Sequence, residues 1–474
     1  MEKIVFLCLP VLFLVAACGN SRRPGLSDKD LFAQRKVETL QETEQAPDFS
    51  DMENYVVPPG IKYKESRAVD PSAPPAVIDI VGNLNNKKEF KLSDIASSVR
   101  YIHLQHPPDT KFTSISDIVS DDEHIFVNSL QGLFCYSTEG EYIYTLKVNK
   151  LESDNIGTRI VSGILNNIDL LNDRLIYRTF QLSSIEEGIS EIWLNVFDVK
   201  ELDTQMLINS QSGELQKNYA QSKYQRRLNT TDIGASSIYL LMDAQSLFIS
   251  NSLTGVTIYG DTLCKFNNFD RPAIERVSVS SDIYRINGQI ILRKSYNDTV
   301  FRVIPPNRLS PAYVMNWGEY KPDMNQHAAG SDLEGKFVLR DWAETERFIF
   351  IQYTEGRSNV GRIAQGIVKF YWAIYDKTAK TLTHYLTSTT PAMRDVDTGR
   401  MKLKVPIPTL IENNIESVGM PFWPEGVNHK DEMYMIFSKE RIADYIASGK
   451  YRSDKLQAIS DNMPDDGFCI MIVK

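Results

Sequence analysis

Residues 114–148 constrain the chain more than any other stretch. They read as four short strands in a row, 115–120, 124–129, 132–137 and 141–148. Asp121-Asp122-Glu123, Leu130-Gln131 and Thr138-Glu139-Gly140 supply the turns between them. Four antiparallel strands of this length joined by tight turns make one small sheet. The strands do not alternate between apolar and polar: Ile125-Phe126-Val127, Leu133-Phe134-Cys135-Tyr136 and Tyr142-Ile143-Tyr144 are apolar on both parities. A sheet with water on one face alternates, so this sheet expects protein on both faces. A blade wedged between neighbouring blades of a β-propeller meets that condition.

Five further segments repeat the unit at irregular spacing. They lie at 173–210, 237–269, 282–317, 336–387 and from 414 to the end, the last interrupted by a helix over 439–448. Ser438 precedes that helix as N-cap and Gly449 follows it. The last segment supplies only three strands, 414–418, 432–437 and 468–473. Val99-Arg100-Tyr101-Ile102-His103-Leu104 is a strand with no hairpin of its own, and pairing it with the C-terminal strand would remove both sheet edges. The expected fold is therefore all-β, a six-bladed propeller closed by that N-terminal strand over residues 87–474.

Upstream, Lys3 and the apolar run 4–15 form an export signal too short to span a bilayer. It ends in Val15-Ala16-Ala17-Cys18-Gly19, which resembles the lipobox of bacterial lipoproteins. That resemblance implies a signal peptide over 1–17 and a lipid on Cys18. Acyl chains at about 0.8 kcal/mol per buried methylene would hold the protein on a membrane. Because Gly19 and Asn20-Ser21-Arg22-Arg23 follow Cys18, the periplasmic face of the outer membrane is favoured over the cell surface. Residues 18–86, with Pro58-Pro59-Gly60 and Asp70-Pro71-Ser72-Ala73-Pro74-Pro75, read as a proline-rich tether.

The composition narrows function. A net charge of −9 with no concentrated basic face argues against nucleic acid. Cys135, Cys264 and Cys469, an odd number inside apolar strands, read as buried small side chains rather than a disulfide framework. His103 and His106 lie three apart on a strand and point to opposite faces. No Gly-x-Ser-x-Gly, P-loop or strand-to-helix GxGxxG occurs. No cofactor is expected. Trp317, Tyr320, Trp342 and Trp423 lie near turns, where rings either fill wedges between blades or form a platform for a glycan or protein partner.

Leu92-Ser93-Asp94-Ile95 before the 99–104 strand, Tyr296-Asn297-Asp298-Thr299 with Pro311-Ala312-Tyr313 and Asn316-Trp317-Gly318, and Asp461-Asn462-Met463-Pro464 before the terminal strand carry a resemblance. Together they resemble a family of six-bladed β-propeller lipoproteins of Gram-negative anaerobes, similar in fold to TolB-like and NHL-repeat propellers. The resemblance spans residues 78–474 and implies no catalytic residues. The expected function is a membrane-anchored, non-enzymatic binding propeller; the alternative is a metal-dependent propeller hydrolase or lyase.

Overall fold

A computed structural model describes Lys64–Ser66 and, with interruptions, residues 74–474; between residues 203 and 280 it describes five short strands. Residues 1–17 and Cys18, and with them the export signal and lipid site, lie outside the described residues.

The chain enters as four separated strands: β1 (Lys64–Ser66), β2 (Ala76–Asp79), β3 (Lys87–Lys88) and β4 (Val99–His103). Blade one follows as β5 (Asp117–Ser120), β6 (His124–Ser129), β7 (Gly132–Ser137) and β8 (Tyr142–Leu146), paired in that order. Every residue of β6 is buried, as are the first five of β7. Burial on both faces explains the missing alternation in the sequence.

Blade two is larger. β9 (Lys150–Asp154) and β10 (Gly157–Ile164) form a hairpin that joins one end of β12 (Arg174–Ser184), while β11 (Asp169–Leu171) pairs with the other end. β13 (Gly188–Asp198) and β14 (Arg226–Leu228) complete it. Four strands of three to five residues come next: β15 (Leu240–Met242), β16 (Leu247–Ile249), β17 (Thr254–Val256) and β18 (Thr262–Phe266). Blade three is β19 (Ser281–Ile286), β20 (Gln289–Lys294), β21 (Thr299–Ile304) and β22 (Arg308–Asn316). Blade four is β23 (Phe337–Glu344), β24 (Phe348–Glu355), β25 (Lys369–Asp376) and β26 (Thr381–Tyr385). A separate hairpin, β27 (Met393–Asp397) with β28 (Lys402–Pro406), leads to blade five: β29 (Gly426–Val427), β30 (Met433–Ser438) and β31 (Phe468–Val473). Helices α1 (Lys439–Ala447) and α2 (Asp454–Asn462) are inserted between β30 and β31.

The propeller has five blades, which corrects the expected six. The segment counted third, at 237–269, forms a sheet whose first three strands have only three residues each. The other five sheets pack side chains against one another. Ile470 and Ile472 of blade five meet Phe134 and Tyr136 of blade one. Phe126 and Cys135 meet Leu175 and Tyr177 of blade two. Ile291 and Val300 of blade three meet Ile349 and Tyr353 of blade four. Phe350 and Trp372 meet Met435 and Phe437 of blade five.

The orphan strand lies where expected: β4 runs antiparallel to β31, with Ile102 opposite Ile470 and Tyr101 opposite Met471. The three strands before it do something the sequence did not announce. β1 pairs in parallel with β18, β2 with β22 and β3 with β26, so the chain lays one strand along the outer edge of three successive sheets. Part of the stretch read as tether is therefore a belt that covers open edges. The strand expected at 414–418 does not form at its described residues, 414–416. Asn413 instead accepts from Ile415 and Glu416 N–H, an Asx turn, and the inner strand of blade five is the two-residue β29.

Candidate functional site: the inner strands

A strand at one edge of each blade carries or adjoins charge. β5 opens on Asp117, β11 on Asp169, β19 on Ser281-Asp282 with Arg285 following, and β23 holds Arg340 and Asp341. Glu425 precedes β29. β5 lies against β11, and β23 against β29.

The groups meet across blades. Asp117 takes hydrogen bonds from its neighbour Ile118 N–H at 2.9 Å and from Ile168 N–H of blade two at 3.0 Å. Arg285 of blade three reaches Asp169 of blade two at 3.4 Å. Arg293 pairs with Asp282. Glu425 binds the Arg441 guanidinium at 2.9 Å and takes Ile436 N–H at 3.0 Å. Tyr434 brings its hydroxyl against Gly426, where a methyl group could not fit.

Burial dominates the electrostatics. It pushes the Asp117 carboxyl up to about 7; the two N–H donors oppose the rise and the charge of Asp169 adds to it. Asp169 is also raised by burial, which Arg285 only partly offsets. Asp341 is raised by burial, with Trp342 N–H and Arg293 opposing and Glu425 adding. Burial drives the Tyr434 phenol well up, and Asp117, Glu425 and Asp341 all add, so one ring senses acids from blades one, four and five. Asp169 and Arg285 still keep 24% and 22% of their side-chain surface. Groups walled by protein yet open to solvent are what a site near a propeller axis requires. Among the described residues no three His, Cys, Asp or Glu side chains gather to hold a metal.

Behind this layer runs a second polar chain. Trp342 Nε1 donates to Tyr284 Oη at 2.6 Å, and Tyr284 donates to Glu344 Oε2 at 2.6 Å. The other Glu344 oxygen takes Tyr313 Oη at 2.8 Å and Lys377 Nζ at 3.0 Å. The chain bridges blades three and four.

The aromatic residues singled out in the sequence are spread rather than gathered. Trp317, 5% exposed, packs edge-on to Tyr353 at 5.4 Å, and Trp423, 6% exposed, edge-on to Phe350 at 5.6 Å. Tyr320 stacks on Phe337 at 4.3 Å. Trp342 alone of the four joins the inner-strand network, through Tyr284. Cys135 and Cys469 are buried free thiols; the side chain of Cys264 lies outside the described residues. His106 stands beyond β4 and pairs with Asp466 at 3.0 Å. Sequence reading missed the charged groups because each comes from a different blade; the one available signal was their recurrence at the start of each repeat.

Residues 58–448 match the model of a protein family described as a domain of unknown function, DUF4933. The chain belongs to that family. The resemblance to a six-bladed lipoprotein family thus reduces to a DUF4933 propeller. Among curated proteins nothing matches this DUF4933 chain. Its fold is similar to that of a "Putative exported protein" from Bacteroides fragilis, at 12% identity and a TM-score of 0.52, covering 84% of this chain and 99% of that one. A structural genomics protein of unknown function from Bacteroides thetaiotaomicron is 7% identical, with a TM-score of 0.34, covering 81% and 74% of the two chains. Virginiamycin B lyase from Staphylococcus aureus is 10% identical, with a TM-score of 0.29, covering 62% and 90%. Of these three, only the first speaks to the fold. Among the described residues no helix is long and apolar enough to cross a membrane.

Proposed function

We propose that this protein is an exported, non-enzymatic binding propeller that takes its ligand, a glycan or a segment of a partner protein, at the inner strands. The observation that carries the reading is the convergence of Asp117, Asp169, Arg285, Asp341 and Glu425 from five blades. Rigid strands holding partly open charged groups are suited to recognition. Export is supported by the apolar run at 4–15 and agrees with the description of the Bacteroides fragilis protein. A lipid on Cys18, facing the periplasm from the outer membrane, would place the site near that surface; the lipobox-like residues support this. Radiolabelled palmitate should enter the wild-type chain and not the Cys18→Ser variant.

The binding site is tested by thermal-shift screening of saccharides and peptides on the wild type and on a double Asp169→Asn, Arg285→Gln variant. Changing both partners leaves no lone charge. A ligand that stabilises the wild type should lose most of that effect in the variant; an undiminished shift would move the site elsewhere. One observation favours a second reading, a hydrolase or lyase: burial that pushes a carboxyl up to about 7, as at Asp117, suits proton transfer. Product release from a bound saccharide, abolished in Asp117→Asn, would establish it.

A further inference from the structure

Arg340 narrows the chemistry of the ligand. It lies on β23, and the register of β23 against β24 shifts between Leu339 and Asp341, so Arg340 is the extra residue of a β-bulge. A bulge takes its side chain out of the alternation that would send it into a blade interface. The other arginines of this region are matched: Arg285 with Asp169, Arg293 with Asp282, Arg441 with Glu425. The Arg340 side chain makes no hydrogen bond or ion pair with any described residue. Asp341 is its chain neighbour, but the Asp341 carboxylate turns to Trp342 N–H at 2.8 Å. Arg340 is exposed, yet the surrounding protein depresses its guanidinium from the usual value, with the charge of Asp341 working the other way. An exposed guanidinium on a bulge, with no bonded anion of its own, is free to take an arriving one.

We propose that Arg340 is an oxyanion receptor, pairing with a single carboxylate or phosphate group on a hydroxyl-bearing ligand. This rests on the inner strands being the binding site. A guanidinium presents two parallel N–H donors to such a group. Asp341 adjoins it, with the charge of Glu425 acting on Asp341, so the ligand carries one anionic group, not a run of them. The remaining hydroxyls face carboxyl groups that accept hydrogen bonds.

The test is calorimetric titration of the full chain with glucuronate, glucose 6-phosphate and glucose. The carboxylate source predicts that glucuronate binds, the phosphate source that the phosphosugar does; in either case glucose binds more weakly by about tenfold or more, the worth of one charge-assisted hydrogen bond. Arg340→Gln should remove that advantage, and Arg340→Lys should keep part of it. Arg347→Gln, which changes an exposed arginine on another edge of blade four, should keep all of it. Equal binding of all three sugars, binding of none, or full anion preference in a folded Arg340→Gln variant would overturn the proposal. If Arg340→Gln is neutral while Asp169→Asn with Arg285→Gln abolishes binding, the inner-strand reading stands and only the receptor role of Arg340 falls. If that pair is neutral as well, both fall.

Discussion

Glu344 shows how a single buried carboxylate joins two blades. It is 4% exposed and is held by two phenols and an ammonium. Removing it strands Lys377 in a site where its side chain is 19% exposed. Glu344→Ala should therefore cost about 3–5 kcal/mol in urea unfolding, and Tyr313→Phe, which removes one donor, about 1 kcal/mol. His384 is the corresponding pH-sensitive residue. Its Nδ1 faces Asn83 O at 2.9 Å and so carries the proton, leaving Nε2 to accept from Tyr353 Oη at 2.8 Å. Burial lowers its pKa, the Asn83 carbonyl opposing, so the folded state resists protonation. That stability is present above the ordinary histidine value of about 6.5 and is lost as the pH falls below it. Melting temperatures between pH 7 and pH 5 should decline, and the share due to this group should vanish in His384→Gln.

At the scale of elements, the belt makes the sharpest prediction. On β2, Ile78 is fully buried against Val300, Met315 and Trp317, whereas Val77 is 59% exposed. Ile78→Ala should cost about 2–5 kcal/mol and Val77→Ala less than about 0.5 kcal/mol in denaturant melts. Equal, small losses would mean that the strand does not dock. Strands built from dense apolar runs were legible in the sequence: 124–129, 132–137 and 468–473 fall on the observed bounds of β6, β7 and β31. The belt was not. Ala76-Val77-Ile78-Asp79 follows two prolines, and its partner Tyr313–Asn316 is remote in the chain. Parallel pairing at that separation leaves no local turn to read. The two-residue β29 was equally invisible, since it is shorter than any periodic signal.

For the whole molecule, apolar patterning conveyed the architecture, while the number of blades had to come from the structure. Segment 237–269 looks like its neighbours in turn residues and hydrophobicity, but three of its four strands are only three residues long. The closure of blade five by β4 was legible because two incomplete pieces of sequence matched. Gly140, at φ +88, accepts Gln105 N–H at 2.8 Å and lies against His103 O, where β4 meets blade one. Gly140→Ala should lower the melting temperature by straining this junction. The charged residues of the inner strands form a site only once the blades bring them together. The most direct measurement of that convergence is the titration of the Asp117 carboxyl, followed by carbon NMR in the wild type and in Asp169→Asn. Assembly of the inner strands predicts a midpoint near 7 that moves down when the neighbouring charge is removed. A midpoint in the ordinary range of about 4, indifferent to residue 169, would contradict it.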